Sequence, residues 1–460
     1  MKKKKITLKT EKILVEEKSK SIITIIDSGI NVNHECFEDK HIPILESNHL
    51  NIPFKWYVVA IENYTKGKVL TKATGFIAFN FPKDLDGHGT AFNRSVEVSK
   101  NSLLDAMKKV TLDKVDVIMV PLSTDTLSNN SSYLGDPVNL GGYLAMKENI
   151  VVCTSSGNHG DDYYTLSGGL APWVIEVESL NSGGRFITQV ELGSVTQIKG
   201  FGSFMDEDYC ELIHWSEYVP YKFLFRLYYN FNIEIINELL NANITGILSV
   251  YSIHNFQSYE LHRPIVYMTQ KDGIKIQKYI DNKKKKAKIY QTVYEEQDGD
   301  LCKVSLTSGK GPNPHDPYVL KPDICVPGED IFCANKYDAQ NMYAHYQVIS
   351  GTSMATAVVA GMLSYIKSFH KDWGIAGIKS AIITSANQVT KLSNEAVLAM
   401  GSGCINPLKA MNPSLVYDIS PEEYRRYLLS REGELKYLAL MEENIEGEKI
   451  LGMDLNLPNF

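Results

Sequence analysis

The sequence predicts an α/β protein built on a parallel sheet flanked by helices. Short runs of β-branched and other apolar residues recur along the chain, and each is long enough for one buried strand. The four clearest runs are SIITIID (21–27), VDVIMVPL (115–122), NIVVCTSS (149–156) and APWVIEVES (171–179). LLDAMKKVTLDK (103–114) has helical spacing and directly precedes the second run, which is the strand and helix alternation typical of a parallel sheet.

The middle of the chain has a different composition, so we expect a separate small α/β unit there. Aromatic and β-branched residues dominate it, DGIKIQKYI (272–280) has a helical pattern, and a turn-rich segment of Gly and Pro follows. The predicted organisation is a main domain in two parts, an insert between them and a C-terminal tail. The corresponding residues are 1–199 and 297–430 for the main domain, 200–296 for the insert and 431–460 for the tail.

Three helices are predicted in the last part of the chain. ISGTSMATAVVAGML (349–363) predicts a buried helix, because an apolar run of small residues follows a group of glycine and hydroxyl residues. GIAGIKSAIITSA (374–386) predicts a second helix of similar character. SPEEYRRYLL (420–429) begins with a serine cap, a proline at the first helical position and two acids in the first turn.

The composition is that of an ordinary soluble globular protein, with 44% hydrophobic and 22% charged residues among 460 and a net charge of -7. The mild acidity argues against a nucleic-acid partner. No apolar run is long enough to span a membrane, and the lysine-rich N-terminus shows no signal peptide. The seven cysteines form no CxxC pair, so we expect neither a zinc site nor a disulfide framework, and no cofactor is expected.

Four residues could together carry out nucleophilic catalysis. Ser353 opens a helix, and a serine nucleophile needs a base, an acid that orients the base, and a donor to the oxyanion. DLDGHGT (84–90) supplies His88 as the base. Asp27 ends a predicted parallel strand, and Asn158 follows another, which is where such sheets place catalytic groups. The amide of Asn158 would donate to the oxyanion.

Each of these residues taken alone also has an ordinary structural interpretation. Ser353 would cap its helix, and Asp27 would be a turn acid at a strand end. His88 would be a loop or helix-start histidine, and Asn158 beside a glycine would be a turn residue. The motifs DGHGT and GTSMA, however, are long and specific, whereas DSG and GN are weak.

In this order and in these settings the four residues resemble those of the subtilase family of serine proteases, whose triad order is known. The resemblance is to its plant cucumisin-like branch, and it covers nearly the whole chain. The segments that carry it besides the catalytic motifs are GNHGDDYYTLSGGLAPWVIEVES (157–179), GPNPHDPYVLKPDICVPGEDIF (311–332) and INPLKAMNPSLVYDISPEEYRRYL (405–428).

The resemblance implies a subtilisin-like fold and a serine endopeptidase that acts on protein or peptide substrates. It assigns Ser353 as the nucleophile, His88 as the base and Asp27 as the group that orients His88. It also places Asn158 and the Ser353 backbone N–H around the oxyanion, and it makes the insert at 200–296 a protease-associated domain. It further implies an extracellular or secretory location, although the chain shows no signal peptide, propeptide or C-terminal fibronectin type III-like domain.

A second hypothesis is a catalytically impaired or inactive homologue that binds partners through its protease-associated domain. It depends on the segment after His88, because only AFNRSVEVSKNS (91–102) separates HGT from the next helix. Family members have both a helix and a central strand there, and twelve residues are too few for both. We expect RSVEV (94–98) to form a strand, which would leave His88 in a loop.

Overall fold

The computed structural model of the protein describes most of the main domain and the regular elements of the insert. The residues it describes are 21–27, 57–62, 68–74, 100–122, 132–160, 162–181, 184–193, 196–202, 208–214, 223–227, 247–250, 265–281, 286–296, 303–305, 307–334, 346–389, 397–442 and 445–458.

The strands occur throughout these segments. They are β1 (Ile23–Asp27), β2 (Tyr57–Glu62), β3 (Lys68–Thr74), β4 (Val117–Val120), β5 (Val151–Ser155), β6 (Ile175–Leu180), β7 (Gly184–Leu192), β8 (Thr196–Gly202), β9 (Asp208–His214), β10 (Phe223–Leu227), β11 (Ile247–Val250), β12 (Ile265–Met268), β13 (Lys286–Ile289), β14 (Val293–Glu296), β15 (Ile324–Pro327), β16 (Ile331–Ala334) and β17 (Tyr346–Ile349).

The helices lie on either side of the central strands and in the C-terminal part. They are α1 (Lys100–Leu112), α2 (Pro137–Lys147), α3 (Gln270–Asp281), α4 (Thr352–Phe369), α5 (Ile375–Thr384), α6 (Val397–Met400), α7 (Pro407–Ala410), α8 (Pro421–Leu429) and α9 (Glu432–Leu440).

The main sheet has the strand order β15-β6-β5-β4-β1-β2-β3. All neighbours are parallel except β2 and β3, which form an antiparallel pair. β4 and β5 are buried along their whole length, as expected for central strands that are covered by helices on both faces. The predicted α/β class is therefore confirmed, and the four predicted strands correspond to β1, β4, β5 and β6.

Helices cover both faces of this sheet. The apolar side chains Val359, Leu363 and Ile366 of α4 pack into the same core as the central strands. On the other face α1 and α2 pack so closely that a Cβ atom on Gly141 would lie 2.4 Å from the Sδ atom of Met107. The carboxyl ends of the parallel strands are thus fixed in a rigid frame, which positions whatever side chains follow them.

A second sheet is formed by residues between Gly184 and Glu296, with the order β13-β9-β10-β11-β12-β8-β7-β14. β13 pairs with both β9 and β7, so this sheet closes on itself. Helix α3 covers its apolar interior with Ile276, and it contains the predicted helical segment 272–280. This second core is separate from that of the main sheet.

The C-terminal helices pack on the main domain. The predicted cap of α8 is confirmed, because Ser420 and Glu423 exchange hydrogen bonds in a capping box. The buried carboxylate of Glu434 in α9 accepts hydrogen bonds from Ser132 Oγ at 2.8 Å and from Leu134 N at 2.9 Å. α9 is therefore attached to the short 3-10 turn that leads into α2.

Two further observations concern the sequence-based expectations. His88 and the segment 94–98, which we expect to be a strand, lie outside the described residues. Within the part of the chain that is described, no helix is both long enough and apolar enough to cross a membrane.

Candidate active site

Asp27 lies at the carboxyl edge of the main sheet. It is the last residue of β1 and its side chain is buried. β1 pairs in parallel with β4 so that Ile25 is opposite Met119, and the same register brings Asp27 level with Pro121, just after β4. An acid and the end of a neighbouring strand therefore meet at one point of the sheet edge.

Ser353 reaches the same point from helix α4. Its side chain is buried, and its Oγ atom donates a hydrogen bond to the carbonyl oxygen of Pro121 at 2.9 Å. Ser353 is not the cap of the helix, so that interpretation is wrong. The N-cap is Gly351, which provides no side-chain hydrogen bond and has φ 156° and ψ 164°, a conformation that strongly favours glycine.

Asn158 approaches the start of α4 from the end of β5. Its Oδ1 atom accepts hydrogen bonds from the Thr352 backbone N–H at 3.0 Å and from Thr352 Oγ1 at 3.1 Å. This fixes the amide beside the residue that precedes Ser353. Because the oxygen of the amide faces Thr352, its NH₂ group is the part that can donate to a ligand.

The loop that carries Asn158 is held by a neighbouring loop. Gly160 N donates to Thr307 O at 2.9 Å, and Gly309 N donates to Gly157 O at 3.0 Å. These backbone bonds lie on both sides of Asn158 in the sequence. The amide therefore has a defined position before any ligand binds, which is what stabilisation of a developing charge requires.

The structure thus brings three of the four predicted residues to one edge of the sheet. Asp27 is level with Pro121, whose carbonyl oxygen accepts the hydrogen bond from Ser353. Asn158 is bonded to Thr352, the residue that precedes Ser353. The fourth, His88, lies outside the described residues. The first turn of a helix also favours negative charge nearby, because its N–H groups have no acceptor within the helix and carry the positive end of the helix dipole. The edge therefore combines a buried hydroxyl, a carboxylate and an oriented amide.

A model described as the subtilase family matches residues 18–403. The chain belongs to the subtilase family. The resemblance read from the sequence motifs is therefore confirmed at family level.

Similar curated proteins include plant subtilases, in agreement with a cucumisin-like branch. This subtilase is 28% identical to subtilisin-like protease SBT4.15 of Arabidopsis thaliana, over 89% of its own chain and 63% of that protein. It is 27% identical to subtilisin-like protease SBT4.8 of the same plant, over 96% of its own chain and 67% of that protein. The subtilase thus spans less than two thirds of the first relative.

A solved structure gives a more distant match. It is the psychrophilic subtilisin-like protease Apa1 from the Antarctic psychrotroph Pseudoalteromonas sp. AS-11. The match covers 90% of this subtilase and 94% of that chain, with 12% identity and a TM-score of 0.35.

Sequence reasoning missed two buried acids of the subtilase, Glu176 and Glu178, both on β6. Burial raises the pKa of Glu176 to about 8, and the nearby Lys321 only partly offsets this effect. Burial likewise raises the pKa of Glu178 well above its ordinary value, although the hydroxyl groups of two serines close to it act in the opposite direction. The signal was visible as the alternating acids of VIEVES, which stand in an otherwise apolar strand.

A third buried acid, Asp323, is paired with two lysines. Its carboxylate lies 2.6 Å from Lys321 Nζ and 2.7 Å from Lys379 Nζ, and it also accepts a hydrogen bond from Glu176 N at 2.8 Å. Burial alone would raise the pKa of Asp323, but the two lysines hold it below its ordinary value. Burial lowers the pKa of Lys379 to about 8 despite the attraction of Asp323.

These buried charges belong to the frame behind the sheet edge. Lys321 Nζ also donates to Val174 O at 2.7 Å, and Lys379 Nζ donates to Pro172 O at 2.9 Å. Lys321 fixes the turn before β6 to the segment before β15, and Lys379 fixes the same turn to helix α5. Among the described residues, no group of three or more His, Cys, Asp or Glu side chains is arranged to hold a metal ion.

Proposed function

We propose that this subtilase is a serine endopeptidase that hydrolyses peptide bonds through Asp27, His88 and Ser353, with Asn158 in the oxyanion hole. The observation that supports this most strongly is the hydrogen bond from Ser353 Oγ to Pro121 O at 2.9 Å. It holds a buried hydroxyl at the carboxyl edge of the sheet, level with the acid that ends β1.

In the proposed reaction, Ser353 Oγ attacks the carbonyl carbon of the scissile peptide, and His88 takes its proton. The hydroxyl first exchanges its bond to Pro121 O for one to His88. His88 then gives the proton to the leaving amine as the tetrahedral intermediate collapses. Water, activated by His88, hydrolyses the resulting acyl-enzyme and releases Ser353. Asp27 orients His88 and stabilises its charged form.

The oxyanion of the tetrahedral intermediate would be held by Asn158 Nδ2 and the backbone N–H of Ser353. The opposite end of the Asn158 amide is already held by two hydrogen bonds from Thr352. A donor that is fixed in advance does not have to reorganise during the reaction, so it favours the transition state over the substrate.

The substrates proposed are proteins or peptides, and the location is extracellular or in the secretory pathway, as the family resemblance implies. We propose that residues 200–296 form a protease-associated domain. The closed second sheet supports a separate unit, since in sequence it lies between Asn158 and Ser353 and its core is separate. Its strands β7 and most of β8 precede residue 200. Its role would be access or partner binding rather than chemistry.

A second candidate is an impaired or inactive homologue that acts as a binding module. Pro121 favours it, because proline supplies no backbone N–H at the strand end beside Ser353.

Hydrolysis of an unfolded protein such as casein separates the two candidates. We expect the purified full chain to cleave it, and Ser353→Ala to lose this activity while still binding the same protein. Removal of one hydroxyl should cost about 1 kcal/mol of stability, so Ser353→Ala should remain folded. Cleavage by Ser353→Ala at the parent rate would exclude Ser353 as nucleophile. Casein binding without cleavage by the parent chain would favour the binding module.

A further inference from the structure

Two cysteines of the subtilase lie opposite each other at the end of the main sheet. Cys325 belongs to β15, and Cys404 forms a parallel β-bridge with it. Cys325 N donates to Gly403 O at 3.0 Å, and Ile405 N donates to Cys325 O at 3.2 Å. Bridge partners direct their side chains to the same face of a sheet.

The position of Cys404 is also fixed from its other side. Asn387 N donates to Cys404 O at 2.7 Å, and Cys404 N donates to Asn387 O at 2.9 Å. Gly403, the preceding residue, has φ 112°. It approaches Asn387 so closely that a Cβ atom on Gly403 would lie 2.4 Å from the carbonyl oxygen of Asn387. The register that places Cys404 opposite Cys325 is therefore held by hydrogen bonds and by close packing.

The two side chains share one small apolar cluster. Cys325 is buried in it together with Leu180, Val389 and Met400, and the half-buried Cys404 packs against it. Both are present as thiols. Paired strands lie about 4.8 Å apart, and a disulfide joins Cα atoms about 4.4–6.8 Å apart, so the backbone spacing fits a disulfide.

We propose that Cys325 and Cys404 form a disulfide by exchange with an external disulfide of the glutathione type. The more exposed Cys404 attacks as a thiolate, forms a mixed disulfide and releases one external thiolate. Cys325 then attacks the Cys404 sulfur as a thiolate and releases the second. The two cysteines lose two electrons to the external disulfide, and their two protons pass to the two thiols released.

Two other cysteines, Cys153 and Cys333, provide the contrast. Cys153 on β5 is buried, with Met119 and Ile175 as its cross-strand neighbours. Cys333 on β16 pairs with Gln347. Neither faces a thiol in its ladder, so the bridge between Cys325 and Cys404 is specific to that pair among these four.

The disulfide would connect β15 to the segment that follows α6. It closes a loop of chain that contains α4 with Ser353 and α5. The cross-link would lower the conformational entropy of the unfolded chain and thereby raise the free energy of unfolding. The proposal does not depend on peptidase activity, because the cross-link can form whether or not Ser353 acts as a nucleophile.

Non-reducing peptide mapping of the full chain after incubation with glutathione disulfide tests the proposal. Digestion combines trypsin with Glu-C, which cuts after Glu329 and so places Cys325 and Cys333 on separate peptides. We expect the peptides with Cys325 and Cys404 to be joined, lighter by two hydrogens than the sum of the two thiol peptides, and separated by dithiothreitol. Cys153→Ser should retain the link and Cys404→Ser should lose it. Oxidation should raise the melting temperature of the parent by about 5 °C and leave that of Cys404→Ser unchanged.

The proposal would be overturned by a map in which both cysteines of the folded parent are alkylated as thiols after oxidation. A stable glutathione adduct on Cys404, or a link from Cys404 to a different cysteine, would also overturn it. The parent chain alone decides these outcomes, so the result stands even where Cys404→Ser fails to fold.

Discussion

The Oγ atom of Ser353 donates a hydrogen bond to the carbonyl oxygen of Pro121 at 2.9 Å. This contact joins the first turn of α4 to the end of β4, and the register of β4 with β1 places Asp27 at the same level. Residues that are more than two hundred positions apart in sequence are thereby held at one point. The contact explains why a serine stands at this position of a helix that has a glycine cap.

Replacement of Asn158 tests the oxyanion assignment. We expect Asn158→Ala to lower kcat by about 10²–10³-fold with little change in KM, the magnitude found for such a donor in subtilisin. The reason is that the amide would bind charge that develops only in the transition state. Steady-state kinetics on a chromogenic peptide would measure both constants.

Thr352→Val is the matched variant for this experiment. It removes the Oγ1 bond to Asn158 and keeps the backbone N–H bond at 3.0 Å, so kcat should fall far less. Equal kcat for Asn158→Ala and the parent would rule out the role of the amide in the reaction.

A pH dependence of stability is expected from Glu176. The carboxyl is neutral below its ordinary pKa of 4.5 in both states, and its folded pKa is raised to about 8. Between these values it ionises only in the unfolded chain, so rising pH lowers the free energy of unfolding, by at most about 1.4 kcal/mol per pH unit. Chemical denaturation from pH 4 to 9 would measure this slope.

Glu176→Gln should remove this contribution. Its free energy of unfolding should exceed that of the parent by an amount that grows between about pH 4.5 and 8 and then levels off. The exposed Glu432→Gln is the control and should follow the parent. Parallel curves for the parent and Glu176→Gln would contradict a neutral buried carboxyl.

Loss of the acid between the two buried lysines should be costly. Asp323→Asn leaves Lys321 and Lys379 without their anionic partner, so we expect a loss of about 3–5 kcal/mol in the free energy of unfolding. Urea denaturation would measure it. Arg425→Gln, which breaks the more exposed pair with Glu422, should cost less than about 1 kcal/mol. A loss of similar size in the two variants would show that the buried cluster contributes no more to the free energy of unfolding than the exposed ion pair does.

The central strands and helices could be predicted from sequence because their patterns are local. The apolar runs at 115–122 and 149–156 become β4 and β5, and the serine, proline and acids of 420–429 produce the expected capped helix. The edge pair β2 and β3 was not predicted. The closure of the second sheet through β13 could not be read either, because strand pairing between distant segments leaves no local pattern.

The candidate site was predicted through motifs rather than through geometry. Asp27 and Asn158 follow strands as expected, but the role of Pro121 as the acceptor for Ser353 depends on the meeting of three distant segments. The run APWVIEVES predicts a buried strand, but its pattern does not predict that the carboxyl groups of Glu176 and Glu178 are buried with it. Carboxylates usually face water, and only the packing around β6 shows that these two do not.

The measurement that tests the central claim most directly is labelling of the intact protein with a fluorophosphonate probe, followed by peptide mapping. The probe reacts only with an activated serine, so the account predicts one adduct, on Ser353, in the folded parent chain. His88→Ala and heat-unfolded protein should show no adduct. Absence of any adduct on the folded parent, or an adduct on another residue, would contradict the assignment of Ser353 as an activated nucleophile.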